Sequence, residues 1–246
     1  DNNITFLNFG SFGACPKEVF EDYQNWQRKL EDSPVQFITK TGVDALDKSK
    51  NALAKFINCK AEDFFITSNP TTAINTVMRS LKLNEGDEIL STDLEYGAMD
   101  YMWEFYEKLS SVKYVKQPIQ LPIRSKEHFL QMFWEGYNQN TKAIFISHIT
   151  SATAIVFPIK EIVDKAKSLG LITIIDGAHV PGHIDLDIKA MNPDYYTGAL
   201  HKWLLAPKGS TFLYVRKELQ ANLDPLIISW GFGNPKTERG QFLDYH

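Results

Sequence analysis

Cysteine is scarce in this sequence: its 246 residues include only Cys15 and Cys59. No Cys-x-x-Cys spacing occurs, which excludes a disulfide scaffold and a cysteine-only zinc site, and both thiols read as structural. Two thiols in a chain of this size suit a reducing cytosol, so a cytoplasmic protein is expected. No apolar run approaches the roughly 20 residues that a bilayer-spanning helix needs, so no membrane partner is expected. No block of Lys and Arg marks a nucleic-acid or polybasic surface, and the formal net charge is -4. Asp1 to Phe6 lacks a charged stretch followed by an apolar one, so no secretory signal is read there. The Gly-x-x-x-x-Gly-Lys-Ser/Thr loop of nucleoside-triphosphate sites and the Gly-x-Gly-x-x-Gly of dinucleotide sites are both absent. No internal repeat, low-complexity tract or linker divides the chain.

What is present is an alternation. Of the residues, 43% are hydrophobic and 23% charged, an ordinary globular composition with ample core. After an irregular start marked by Asn8, Gly10, Ser11 and Gly13, Pro16 opens a helix whose stripe is Val19, Phe20, Tyr23, Trp26 and Leu30. A second helix is expected over 43–57 with Leu46, Leu53, Phe56 and Ile57 inward. Short apolar strands then alternate with helices. Strands are expected over 64–67, 88–91, 112–115, 143–147, 171–175, 194–197 and 211–215. Helices are expected after Ser68 to Thr72, with Ala73, Val77 and Leu81, and over 98–109, 126–137 and 159–169, the last stopped by Gly170. This pattern predicts an α/β fold with a mainly parallel sheet covered by helices on both faces. The stretch 231–246 is rich in Gly and polar residues and is expected to close no element.

In such sheets the ligand site lies beyond the carboxyl ends of the strands. Five unusual groups fall at those ends: Ser68 to Thr72, Glu95-Tyr96, His148 to Ser151, Asp176 to His179, and His201-Lys202. Asp176 ends the apolar run 171–175, so its carboxylate is expected to be desolvated and to want a cationic partner. A protonated pyridine nitrogen would supply one; a helix cap is the plainer use of an isolated Asp. Lys202 lies among Tyr195, Tyr196, Leu200, Trp203, Leu204 and Leu205, surroundings that depress an amine pKa and favour the neutral nucleophile. Asn69-Pro70-Thr71-Thr72 between a strand and a helix offers backbone N–H groups and two hydroxyls to a phosphate, or a simple cap by Thr71. Tyr96 is placed to stack on a flat ring or to fill core. Together these residues point to pyridoxal phosphate held by a lysine Schiff base.

Asp176-Gly177-Ala178-His179, followed by Thr197-Gly198-Ala199-Leu200-His201-Lys202-Trp203 and Ala206-Pro207-Lys208-Gly209, resembles the class V aminotransferase family of pyridoxal-phosphate enzymes. The isopenicillin N epimerase-like and cysteine desulfurase-like branch is the nearest in pattern. Leu7 to Pro16 resembles that branch's N-terminal motif. The resemblance implies that Lys202 carries the cofactor and moves protons at the substrate α-carbon, while Asp176 pairs with the ring nitrogen. It implies His179 and Ser151 near the ring hydroxyl, Tyr96 on the ring face, and Thr71, Thr72 and His201 on the phosphate. Ala199 stands where relatives carry Asn or Ser, removing one polar phosphate contact. It further implies a homodimer, residues 1–15 as an N-terminal active-site segment, residues 16–246 as the large cofactor-binding domain, and a C-terminal small domain with a substrate-binding arginine outside this chain. C–S lyase or desulfurase-type chemistry on an amino acid is the favoured activity. Epimerase, aminotransferase, a cofactor-binding fragment without turnover, and an unrelated α/β enzyme with a metal at Asp176 and His179 are the alternatives.

Overall fold

The computed structural model of the chain describes residues 3–232 and 241–246. Helix α1 (Lys17–Asp32) begins directly after Pro16. A single turn, α2 (Pro34–Gln36), and a π-helical turn (Phe37–Thr41) lead into α3 (Gly42–Phe56). The alternation follows: β1 (Phe64–Thr67), α4 (Pro70–Ser80), β2 (Glu88–Thr92), α5 (Gly97–Ser110), β3 (Lys113–Gln117), α6 (Lys126–Glu135), β4 (Thr141–Ser147), α7 (Ile159–Ser168), β5 (Ile172–Asp176), α8 (Ile188–Met191), β6 (Tyr195–Ala199) and β7 (Thr211–Val215). Helix α9 (Gln241–Tyr245) corrects the expectation for the last stretch. Its Phe242 is buried and meets Phe65 edge-on at 5.6 Å, so an apolar anchor orders a segment whose composition reads as loop. The rest of that stretch, residues 233–240, lies outside the described residues, as do residues 1–2.

The strands form one seven-stranded sheet in the order β1-β7-β6-β5-β4-β2-β3. Pairs β2–β3, β2–β4, β4–β5 and β5–β6 are parallel, and β7 runs antiparallel to both of its neighbours. Side chains alternate between the two faces along each strand. Leu90, Ile144, Ile146, Ile175 and Phe212 join one core with α3, α6 and α7. Ile89, Ala143, Phe145, Ile174 and Leu213 join the other with α4, α5 and α9. Both faces are thus covered, which is why β4, β5 and β7 are largely apolar and β2 and β6 are buried along their whole length.

The N-terminal helices depart from expectation. Leu53 and Ile57 of the second helix point inward, but Leu46 and Phe56 are 42% and 52% exposed. No residue of α1 is buried, although its apolar stripe is real. Amphipathicity fixes which side of a helix is greasy; what lies against that side is settled by tertiary packing alone.

Candidate active site

At the carboxyl ends of the parallel strands lies a cavity of about 660 Å³. It is bordered by Thr71, Thr72, Tyr96, Ser151, Asp176, His179, His201 and Lys202, the residues to which the resemblance assigned a role, whereas Glu95 and His148 are not among its lining. Ser11 and Phe12 border it from the N-terminal segment.

Asp176 is the last residue of β5 and only 4% exposed. Among the described residues one donor reaches its carboxylate, the Ala178 N–H at 2.9 Å. Burial pushes its pKa up; the Ala178 N–H and the charge of Lys202 oppose this. Behind it, Gly177 is required by close approach: a Cβ there would sit 2.2 Å from the Tyr196 hydroxyl. Tyr196 in turn bonds the buried His148 at 2.9 Å, and burial lowers the His148 pKa to about 4. The acid therefore rests on a rigid, uncharged second layer.

Lys202 follows β6 in a half-buried position. Burial pulls its pKa below the ordinary lysine value, with Asp176 opposing. No salt bridge joins Lys202 and Asp176 among the described residues; the two face the same cavity without closing on each other. The lysine nitrogen instead meets His179 Nε2 at 3.2 Å. The other ring nitrogen of His179 accepts from Trp203 Nε1 at 3.2 Å. Burial, with Lys202 and His183 adding positive charge, lowers the His179 pKa to about 4.

The third wall is the start of α4. Asn69, not Thr71, caps this helix: its Oδ1 accepts from Thr72 N at 2.8 Å and from the Thr72 hydroxyl at 3.1 Å. An Asn side chain reaches the third residue of a helix from the cap position, whereas Thr71 already lies within the first turn. The N-terminus of α4 presents its positive dipole end to the cavity together with Thr71. His201 Nδ1 lies 2.9 Å from the Ser210 carbonyl, which only accepts, so the hydrogen is on Nδ1 and Nε2 is left for a ligand.

Several contributors carry no sequence signal of their own. Glu95, 8% exposed, accepts from the Thr92 hydroxyl at 2.6 Å, Ser147 N at 2.8 Å and the Ser147 hydroxyl at 2.5 Å. It ties the carboxyl ends of β2 and β4 together directly beside Tyr96. Lys208 Nζ donates to the Gly13 carbonyl at 3.1 Å and holds the N-terminal segment over the site. Gly13 needs φ +67°, and a Cβ there would lie 1.8 Å from the His201 carbonyl. Only the position of Glu95 at a strand end hinted at any of this.

The donor set suits an anionic, heteroaromatic aldehyde. A nucleophilic amine and a buried acid face one cavity, and a helix N-terminus with hydroxyls stands at its edge. Among the described residues no three His, Cys, Asp or Glu side chains converge as a metal site, so the pairing of Asp176 with His179 finds no third ligand. No helix among them is long and apolar enough to cross a membrane.

Comparison with known proteins agrees. The chain is 33% identical over 250 residues to an isopenicillin N epimerase of Amycolatopsis lactamdurans, covering 98% of this chain and 62% of that protein. It is 28% identical over 252 residues to a probable chloroplastic L-cysteine desulfhydrase of Arabidopsis thaliana, covering 95% and 53%. A solved cystine C–S lyase in complex with its product cysteine persulfide superposes with a TM-score of 0.85 at 25% identity, over 93% of this chain and 61% of that one. The chain thus spans little more than half the length of these relatives. The profile of the family described as aminotransferase class-V matches residues 14–236, and the chain belongs to that family of pyridoxal-phosphate enzymes.

Proposed function

We propose that this chain forms the cofactor-binding part of an enzyme that breaks the Cα–H bond of an amino acid and then its C–S bond. The observation that carries the reading is the pair formed by Lys202 and Asp176, an amine biased toward neutrality and a buried acid facing one cavity without a salt bridge between them. Pyridoxal phosphate, when bound, supplies a ring that accepts the electron pair released at the substrate α-carbon. Lys202 Nζ has the lone pair needed to anchor the aldehyde, because burial disfavours its charged form. Lys202 Nζ, facing the same cavity, would also be the group that moves a proton at the substrate α-carbon. Asp176 would hold the ring nitrogen protonated, its sparse hydrogen bonding leaving acceptor capacity for that proton. Thr71, Thr72, the N-terminal end of α4 and His201 would hold the phosphate. Tyr96, His179 and Ser151 line the same cavity and would hold the ring. Gly10, Ser11 and Phe12, next to the Gly13 that Lys208 pins, form one wall of the cavity.

C–S cleavage is supported by the names of the L-cysteine desulfhydrase and the cystine C–S lyase among the relatives. Epimerisation at the same carbon is the second reading, favoured by the 33% identity to isopenicillin N epimerase. Both need the same Lys202 and Asp176. A homodimer in a reducing cytosol is part of the proposal, and sedimentation at micromolar concentration tests the dimer. The chemistry is tested by borohydride reduction of the pyridoxal phosphate-loaded protein followed by peptide mass spectrometry. The expected label is on Lys202, and Lys202→Ala removes it. A label on another lysine, or an unchanged chromophore in Lys202→Ala, overturns the reading. Pyruvate release from cysteine or cystine separates C–S cleavage from epimerisation.

A further inference from the structure

We infer that Trp203 is a positioning residue whose indole N–H fixes His179 as the tautomer with its hydrogen on Nε2, so that His179 presents a donor and not a lone pair to Lys202 and the cavity. The indole nitrogen is a donor only. At 3.2 Å it points at His179 Nδ1, which must therefore be the acceptor. A neutral imidazole carries a single ring hydrogen, which is left to Nε2. Neutrality follows from the surroundings: the ring is half-buried, its desolvation disfavours the charged form, and Lys202 and His183 beside it disfavour that form further. Nε2–H then lies 3.2 Å from Lys202 Nζ, a contact that is attractive only if that amine has a free lone pair. One indole hydrogen bond thus selects the protonation pattern of two residues along the chain Trp203, His179, Lys202.

The indole is held firmly enough to do this. His183 stacks on it at 4.3 Å with 22° between planes, and His183 Nδ1 lies 3.2 Å from the His179 carbonyl. Phe9 of the N-terminal segment packs at 6.1 Å. Trp203 directly follows Lys202 in sequence, so the segment that places the nucleophile also places the indole that sets its partner.

The tautomer stands on the chain alone; its consequence for pyridoxal phosphate rests on the proposed function. With the cofactor in place, Nε2–H is directed at whatever basic atom occupies the region near Lys202. The first experiment is nitrogen-15 NMR of the full chain labelled in histidine, without and with pyridoxal phosphate. His179 is assigned by contacts from the Trp203 indole proton. Expected are an unprotonated Nδ1 and a protonated Nε2; the reverse pattern overturns the inference, whether or not the cofactor binds. The second is a double-substitution cycle read as the pyridoxal phosphate dissociation constant. Trp203→Phe, which keeps an aromatic ring and removes the donor, is expected to weaken binding about three- to tenfold, the range of one hydrogen bond. In a His179→Gln background, whose amide always offers a donor, Trp203→Phe is expected to change nothing further. An equal loss in both backgrounds would mean that Trp203 acts by packing, and the inference fails. Absence of cofactor binding in the unsubstituted chain would instead strike at the proposed function.

Discussion

Glu95 offers the most quantitative test of how this site is built. Its carboxylate is buried at the end of β2, and burial raises its pKa from 4.5 to about 7. The hydrogen bonds from Ser147 and Thr92 oppose that rise, and the charge of Asp176 adds to it. Below about pH 4.5 the group is protonated in both the folded and the unfolded chain, and pH has no leverage through it. Between 4.5 and about 7 the folded chain keeps a proton that the unfolded chain has released. Folding stability therefore falls as pH rises through that window and levels off above it. A shift of about 2.5 pH units at about 1.4 kcal/mol each corresponds to roughly 3 kcal/mol across the window. Glu95→Gln keeps an oxygen acceptor for Ser147 N and removes the titration. Urea unfolding of both proteins from pH 4 to pH 8 measures the difference. The expected result is that the stability of the unsubstituted chain, relative to Glu95→Gln, declines by about 3 kcal/mol over that range. Groups that do not interact with Glu95 titrate alike in both proteins and cancel in the comparison. Parallel curves would refute the reasoning, since they would mean that Glu95 ionises as it does in the unfolded chain.

Asp176→Asn, an isosteric loss of charge, is expected to weaken pyridoxal phosphate retention and slow α-hydrogen exchange into deuterated water by about 100-fold or more, the scale of a lost proton-holding group; exchange at the unsubstituted rate would contradict the role assigned to it. Gly13→Ala is expected to cost at least about 1–2 kcal/mol, because an L-residue is strained at φ +67° and the new methyl collides with the His201 carbonyl. The N-terminal segment should then become sensitive to limited proteolysis ahead of α1, and unchanged protection would count against its anchoring through Gly13.

Much of the candidate site was legible because its residues lie at or just beyond the ends of elements with a clear period. The runs 143–147 and 171–175 announce buried parallel strands, and their ends place Ser147 and Asp176 at one edge of the sheet. Asn69-Pro70 announces a helix start, although the capping group proved to be Asn69. Lys202 was set apart by its apolar flanks. Sequence also exposed the greasy stripe of α1 but gave no measure of its burial. That helix is amphipathic by local pattern, while whether anything covers it depends on elements far away in the chain. Helix α9 was missed for the same reason: five residues have little helical preference alone, and α9 is held by the contact between Phe242 and Phe65.

The order of residues along the chain thus determined the alternation of strands and helices, and with it the end of the sheet where chemistry could collect. It could not determine which hydrogen bonds those groups make. That Glu95 clamps two strand ends, and that Trp203 turns a histidine toward a lysine, was decided by tertiary structure. Hydrogen-bond geometry depends on distances of a few tenths of an ångström between segments as far apart in the chain as β2 and β4, and no local pattern encodes such distances.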